Sequence, residues 1–146
     1  MFLNKAHQAQ VLSKELNEQL HKAAFYDPLT QLPNRKLMCQ HIKTLEKDGQ
    51  PYSILFIDID KFKPVNDNLG HLIGDKVLKE IADRLQAQLD ERDFLSRQGG
   101  DEFMIASTRC DTESLASLSQ ELIHILETDF YTEGHKIDVS ASIGIA

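Results

Sequence analysis

Two short acidic segments carry the residues best suited to chemistry. The first is Phe56-Ile57-Asp58-Ile59-Asp60, followed by Lys61-Phe62-Lys63. Side chains alternate across a strand, so acids two apart share one face if the strand runs that far. A carboxylate at the exposed end of a buried strand is costly unless it is paired or bound to a cation. Asp58, flanked by Ile57 and Ile59, therefore reads as a metal ligand, whereas Asp60 also fits a surface acid that caps the next helix. The second segment is Arg97-Gln98-Gly99-Gly100-Asp101-Glu102-Phe103. Gly99-Gly100 suits the positive φ values of a two-residue primed turn and puts Asp101 at the start of the return strand. Taken alone, it is only a hairpin. If that hairpin lies beside the strand carrying Asp58, Asp58 and Asp101 can meet over one hard cation, with Mg²⁺ favoured by carboxylate oxygens and its shell completed by phosphates.

Between these segments runs Asn66-Asp67-Asn68-Leu69-Gly70-His71-Leu72-Ile73-Gly74-Asp75. The Asn66 amide offers a donor and an acceptor, and an ionised Asp75 accepts two N–H bonds, a pair that suits guanine. On spacing alone the plainer readings are favoured: Asp75 as the N-cap of the following helix and His71 as an ordinary loop histidine.

The elements that must position these residues follow from the apolar pattern. Residues 2–24 lack Pro and Gly, and Ala9, Leu12, Leu16, Gln19 and Ala23 alternate at spacings of three and four. This helix either lies against the domain or ends a coiled coil arriving from upstream. Asp27-Pro28-Leu29-Thr30 is a turn or helix boundary. A helix follows Arg35, with Leu37, Met38, Ile42 and Leu45 on one face, and Lys47–Pro51 breaks it. Ser53–Asp58 reads as a strand whose near-continuous apolar run predicts burial on both faces. A helix spans about Gly74 to Leu89, with Val77, Leu78, Ile81, Leu85 and Leu89 at helical spacing. Phe94–Arg97 and Glu102–Ala106 form the hairpin strands, and Leu115, Leu118, Leu122, Ile125 and Leu126 mark another helix. Ile137–Ala146 alternates like a single strand that buries Val139, Ile143 and Ile145. Strands mixed with helices predict an α/β (α+β) fold, a mixed sheet with helices packed on it.

Composition sets the bounds. A chain of 146 residues suits one domain with a real core, and 41% hydrophobic with 27% charged residues excludes disorder. The formal net charge of −7 argues against nucleic acid or an anionic membrane as partner. Apolar runs such as Ile54–Ile57 are too short to span a bilayer, and the first residues lack a signal-peptide layout. Cys39 and Cys110 fall in no metal or redox spacing and read as thiols of a reducing compartment. The expectation is a cytoplasmic protein whose present segment contacts no membrane.

In order along the chain, these motifs resemble a known family. Phe56-x-Asp58-x-Asp60-x-Phe62-Lys63-x-x-Asn66-Asp67, Gly70-His71-x-x-Gly74-Asp75 and Gly99-Gly100-Asp101-Glu102-Phe103 are similar to the GGDEF domain of bacterial diguanylate cyclases. Asp27-Pro28-Leu29-Thr30-x-Leu32-Pro33-Asn34-Arg35 resembles that family's opening motif, and Ser142-Ile143-Gly144-Ile145-Ala146 its late strand. The resemblance implies a palm-like fold related to nucleotidyl cyclases. It also implies condensation of two GTP to cyclic di-GMP, with loss of two pyrophosphates, in second-messenger signalling. Asp58 and Asp101 would hold Mg²⁺, with Mn²⁺ as a substitute and the Ile59 carbonyl as a backbone ligand. Asn66 and Asp75 would read guanine, and His71 and Phe62 would line the nucleotide site. Lys63 would steady charge on the phosphates, Asp101 would also serve as base for the 3′-hydroxyl, and Glu102 would complete the acidic cluster. One GTP per domain requires a homodimer about a two-fold axis. Residues 1–24 would be a signalling or linker helix from an upstream sensor module, and residues 25–146 the GGDEF domain. The alternative within the family is a silent GTP-binding regulatory module.

Two departures stand out. Many members carry an inhibitory product site, Arg-x-x-Asp, before the Gly-Gly turn. Here the window reads Asp90-Glu91-Arg92-Asp93, and an acid cannot make the bidentate contact that the arginine provides. The family's domain also continues past the late strand into a helix with basic residues, so the resemblance implies a domain lacking its last helix and turning over little GTP.

Overall fold

A computed structural model describes residues 4–146. Helix α1 (Lys5–Phe25) opens on Asn4, whose side chain accepts from the His7 N–H, and residues 2 and 3 of the expected helix lie outside the described residues. No residue of α1 is buried, and Val11, Leu12, Leu16 and Leu20 stand exposed. Helix α2 (Arg35–Lys47) is capped by Asn34 and buries Met38. Strand β1 (Ser53–Asp60) leads into helices α3 (Phe62–Leu69) and α4 (His71–Ala87). Strands β2 (Asp93–Gly99) and β3 (Glu102–Ser107) form the hairpin. Helix α5 (Thr112–Glu127), a small hairpin of β4 (Phe130–Thr132) and β5 (His135–Ile137), and β6 (Ser140–Ile145) complete the order. No helix among the described residues is long and apolar enough to cross a membrane.

The main sheet runs β2-β3-β1-β6, and each of its pairings is antiparallel. One face carries Leu55, Ile57, Ile59, Leu95, Phe103 and Ile105 into a core with Val77, Ile81 and Leu85 of α4 and Leu118 and Leu122 of α5. Burial along β1 alternates, with Phe56 51% exposed, so the expected burial on both faces is corrected. The reason is coverage: α4 and α5 supply the core side, whereas α2 packs mainly on β2 at the sheet edge, where His41 stacks on Phe94 at 4.0 Å. The single strand expected over Ile137–Ala146 is two pieces. Glu133 and Gly134 take positive φ and turn β4 into β5, and β6 starts afresh at Ser140. Val139 is buried, but Ile145 is 48% exposed. Arg84 of α4 closes the end of α5 by donating to the carbonyls of Ile125, Thr128 and Asp129, with its guanidinium 3.6 Å from the Phe130 ring.

Arg97 ties the start of the domain to the hairpin. Its Nη1 donates to both Asp27 carboxylate oxygens at 3.0 Å, and its Nε and Nη2 donate to the Gly100 carbonyl at 3.0 and 2.8 Å. Asp27 also accepts from the Thr30 N–H and hydroxyl. Burial pushes the Asp27 carboxyl up, but the bonds from Thr30 and Arg97 outweigh it and hold the group below its ordinary value of 3.8. A lowered folded pKa contributes stability above the unfolded value and loses it as pH falls through the folded one. Asp27→Asn is expected to cost about 2 kcal/mol at pH 7. In urea melts the gap between variant and parent should narrow below pH 3.8; a gap that does not change with pH would show that the ion pair is not the cause.

Candidate active site

The register of the sheet crowds carboxylates at one end. β3 pairs with β1 so that Asp58 lies opposite Glu102, and the Ile59 N–H donates to the Asp101 carbonyl at 3.1 Å. On the other side Asp58 lies opposite Ser142, whose hydroxyl donates to Asp60 Oδ2 at 2.8 Å. Asp60 therefore caps no helix. Like charges directly opposite each other destabilise a sheet. Partial desolvation, then the charges of Asp101, Glu102 and Asp60, hold the Asp58 carboxyl above its ordinary value. Asp58, Asp101 and Glu102 have no cationic partner among the described residues, although Asp27, Asp90 and Asp93 each hold an arginine. The hairpin loop itself is Gly100-Asp101, because Gly99 already pairs with Glu102. Asp101 thus sits in the turn and not on the return strand, and both glycines have positive φ as expected.

A depression of about 430 Å³ opens here, lined by Phe56, Asp58, Glu102, Ser142 and Gly144 among others. A larger hollow of about 1230 Å³ lies between α1 and the turn at residues 26–31 and contains none of these acids. Among the described residues no three His, Cys, Asp or Glu side chains surround one metal position. Two carboxylates and a backbone carbonyl suit a hard cation that takes the rest of its shell from its own ligand.

Beside the acids the chain turns sharply. Lys61 has φ 64°, a left-handed conformation, and α3 begins at once with no side chain capping its N terminus. Uncapped first-turn N–H groups attract anions. Lys63 lies in that turn and forms no ion pair with described residues. The sequence reading missed α3. Its signal was Phe62, Val65 and Leu69 at spacings of three and four, with Pro64 tolerated in the first turn.

Gly70, at φ 89°, separates α3 from α4, so α4 starts at His71 and Asp75 falls in its second turn. The N-cap reading of Asp75 is therefore corrected, as is the loop reading of His71. The Asn66 side chain lies against α4 at Gly74, one residue before Asp75. Neither side chain is hydrogen-bonded or ion-paired to described residues, and exposed His71 likewise has no partner there. Phe62 is 6% exposed and belongs to the core, so it supports Asn66 and Gly74 from below.

The window that departs from the family is filled internally. Arg109 donates to Asp90 and Asp93, Arg92 donates to Asp90, and Asp93 also accepts from the Ser107 hydroxyl. Hydrogen bonds from Arg92 hold the Asp90 carboxyl down to about 2.

Comparison with known proteins agrees with this geometry. The family model described as "Diguanylate cyclase, GGDEF domain" matches residues 24–146. The bifunctional diguanylate cyclase/cyclic di-GMP phosphodiesterase MucR of Pseudomonas aeruginosa is 37% identical over 134 residues, 89% of this chain and 20% of that protein. This chain thus spans about a fifth of the length of such curated relatives. Diguanylate cyclase SiaD of Pseudomonas aeruginosa, solved in complex with its activator SiaC, superposes with a TM-score of 0.77 at 31% identity, covering 96% of this chain and 56% of that one. The coiled coil and GGDEF domain of DgcB from Caulobacter crescentus, solved in complex with c-di-GMP, gives a TM-score of 0.82 at 26% identity, covering 94% and 77%.

Crowding without a counter-charge has a measurable consequence. Asp58→Asn removes one repelling charge at similar size, so the cation-free fold should gain about 0.5 kcal/mol. Urea denaturation in a chelator reads this directly, and a less stable variant would mean that Asp58 is structural.

Proposed function

The chain belongs to the GGDEF family, and from that premise we propose that it is a diguanylate cyclase domain that condenses two GTP into cyclic di-GMP. The observation that carries this reading is the group formed by Asp58, Asp101 and Glu102, brought together by strand register and left without a cation of the protein. Such a group fits Mg²⁺, or Mn²⁺ in its place, held by Asp58, Asp101 and the Ile59 carbonyl. Once bound, the ion supplies charge neutralisation for the phosphates and favours ionisation of the attacking hydroxyl.

The remaining residues divide the work of binding. The uncapped N terminus of α3 and the Lys63 ammonium hold the triphosphate. Asn66 and Asp75 present a donor, an acceptor and a carboxylate to the Watson–Crick edge of guanine. His71, exposed at the start of α4, borders the nucleotide, and Phe62 shapes the floor under it. Asp101 takes the proton of the 3′-hydroxyl, whose oxygen attacks the α-phosphorus of the second GTP as pyrophosphate leaves. Glu102 keeps the local field negative enough to retain the cation. Repeating the step from the other ribose closes the ring and releases the second pyrophosphate.

Each domain holds one GTP, so the product forms between two copies about a two-fold axis. The exposed stripe of Val11, Leu12, Leu16 and Leu20 on α1 supports pairing through that helix and a link to an upstream sensor module. Its GTP substrate places the reaction in the cytoplasm.

Incubation with GTP and Mg²⁺, followed by detection of cyclic di-GMP, tests the reading. Product should form in the parent, slowly as the resemblance implies, and Asp101→Asn should reduce its formation at least roughly hundredfold while GTP still binds. An Asp101→Asn protein as fast as the parent, or a parent that binds Mg²⁺ and GTP as a dimer yet makes no product, would refute the enzymatic assignment.

A further inference from the structure

Gly74 lies inside α4 with no positive φ, its N–H bonded to the Gly70 carbonyl at 3.1 Å in a regular turn. Nothing in the backbone there requires glycine. In a helix interior glycine is less stable than alanine, so a buried glycine in ordinary helical geometry needs another reason. The reason is a close approach. A Cβ built at position 74 would overlap the Asn66 amide oxygen far inside van der Waals contact. It would also stand 3.0 Å from Asn66 Cγ and 3.3 Å from Phe62 Cζ. The Asn66 amide therefore occupies the volume that any larger residue at 74 would fill.

We propose that Gly74 is a specificity-determining residue: it leaves the space that the Asn66 amide occupies against α4, one residue before Asp75, and so sets the preference for guanine. The proposal rests on the reading of Asn66 and Asp75 as base-recognising groups. With alanine at 74, the amide cannot stay where it is. Phe62 blocks retreat downward, because its ring is packed in the core at 6% exposure. The amide must leave that space, and the donor and acceptor it offers to the base are displaced. A base that relies on those bonds loses affinity; one that does not is little affected. Gly74 touches no base itself and acts through Asn66, which makes it a positioning residue.

The test is equilibrium binding of GTP and ATP, each with Mg²⁺, to the parent, Gly74→Ala, Asn66→Ala and the double variant. Gly74→Ala should weaken GTP at least roughly tenfold and ATP much less, so the preference narrows. In the Asn66→Ala background the Gly74→Ala change should have no further effect on the preference. If Asn66→Ala leaves the preference intact, Asn66 does not read the base and the underlying assignment fails. If Asn66→Ala removes the preference but Gly74→Ala keeps it, the role given to Gly74 is wrong. Thermal melts guard against misfolding. Should Gly74→Ala unfold through the overlap, removing the amide in the double variant must restore the fold, and failure to restore it also overturns the proposal.

Discussion

Electrostatic repulsion among the carboxylates at the end of the β1–β3 ladder is the constraint around which the rest of the domain is organised. A sheet left to itself would place opposite charges, or none, at facing positions. Here Asp58 faces Glu102, with Asp101 in the adjoining loop and Asp60 two residues on. The cost is met on the other side of the sheet. Leu55, Ile57 and Ile59 alternate with Phe56, Asp58 and Asp60 along one strand, so the residues that lock β1 into the core are the immediate neighbours of those that repel. A one-residue slip would bury the acids and expose the core, so the register is strongly specified.

Repulsion in a loop would simply push the loop open, so the hairpin must be held. Arg97 does this from one end by sharing its guanidinium between Asp27 and the Gly100 carbonyl, one peptide before Asp101. The same Asp27 lies just after α1, where Asn34 also ties back to the Ala24 and Phe25 carbonyls. The exit of α1 and the acidic loop are therefore anchored to one side chain. From the other end the Ile59 N–H grips the Asp101 carbonyl. The backbone of Asp101 is fixed while its carboxylate stays without a protein cation, a combination that favours a ligand arriving from outside.

The sequence made the acids, the hairpin and the helices α2, α4 and α5 legible, because each rests on local chemistry. Asp58 is conspicuous between two isoleucines, Gly99-Gly100 demands positive φ, and the leucine stripes repeat at helical spacing. What escaped depends on partners distant in the chain. The exposed face of β1 follows from where α2 packs, which the apolar run Ile54–Ile57 cannot report. α3 escaped because its polar residues outnumber its apolar ones and because Lys61, with no glycine to announce it, takes the left-handed turn. Asp75 resembled a cap because the signal of Gly70, four residues after Asn66, was weaker than that of an acid before a leucine stripe. Gly74 looked like part of a motif; only the packed Asn66 amide explains it.

The network at Asp90 shows the opposite solution to the same electrostatic problem. There, acids are crowded too, with Asp90 and Asp93 three residues apart, but two guanidinium groups are drawn in to neutralise them. Arg109 is 13% exposed and Asp93 fully covered, so the pairing is largely withdrawn from solvent and resists screening. Breaking one partner of such a pair leaves the other buried and uncompensated. Replacing Asp90 by arginine would therefore leave Arg92 without its acceptor and Arg109 with Asp93 alone. In one cluster the protein supplies the counter-charge, and a static structural element results. In the other it withholds it, and the unmet charge is what makes the end of β1 a place for a cation and its nucleotide.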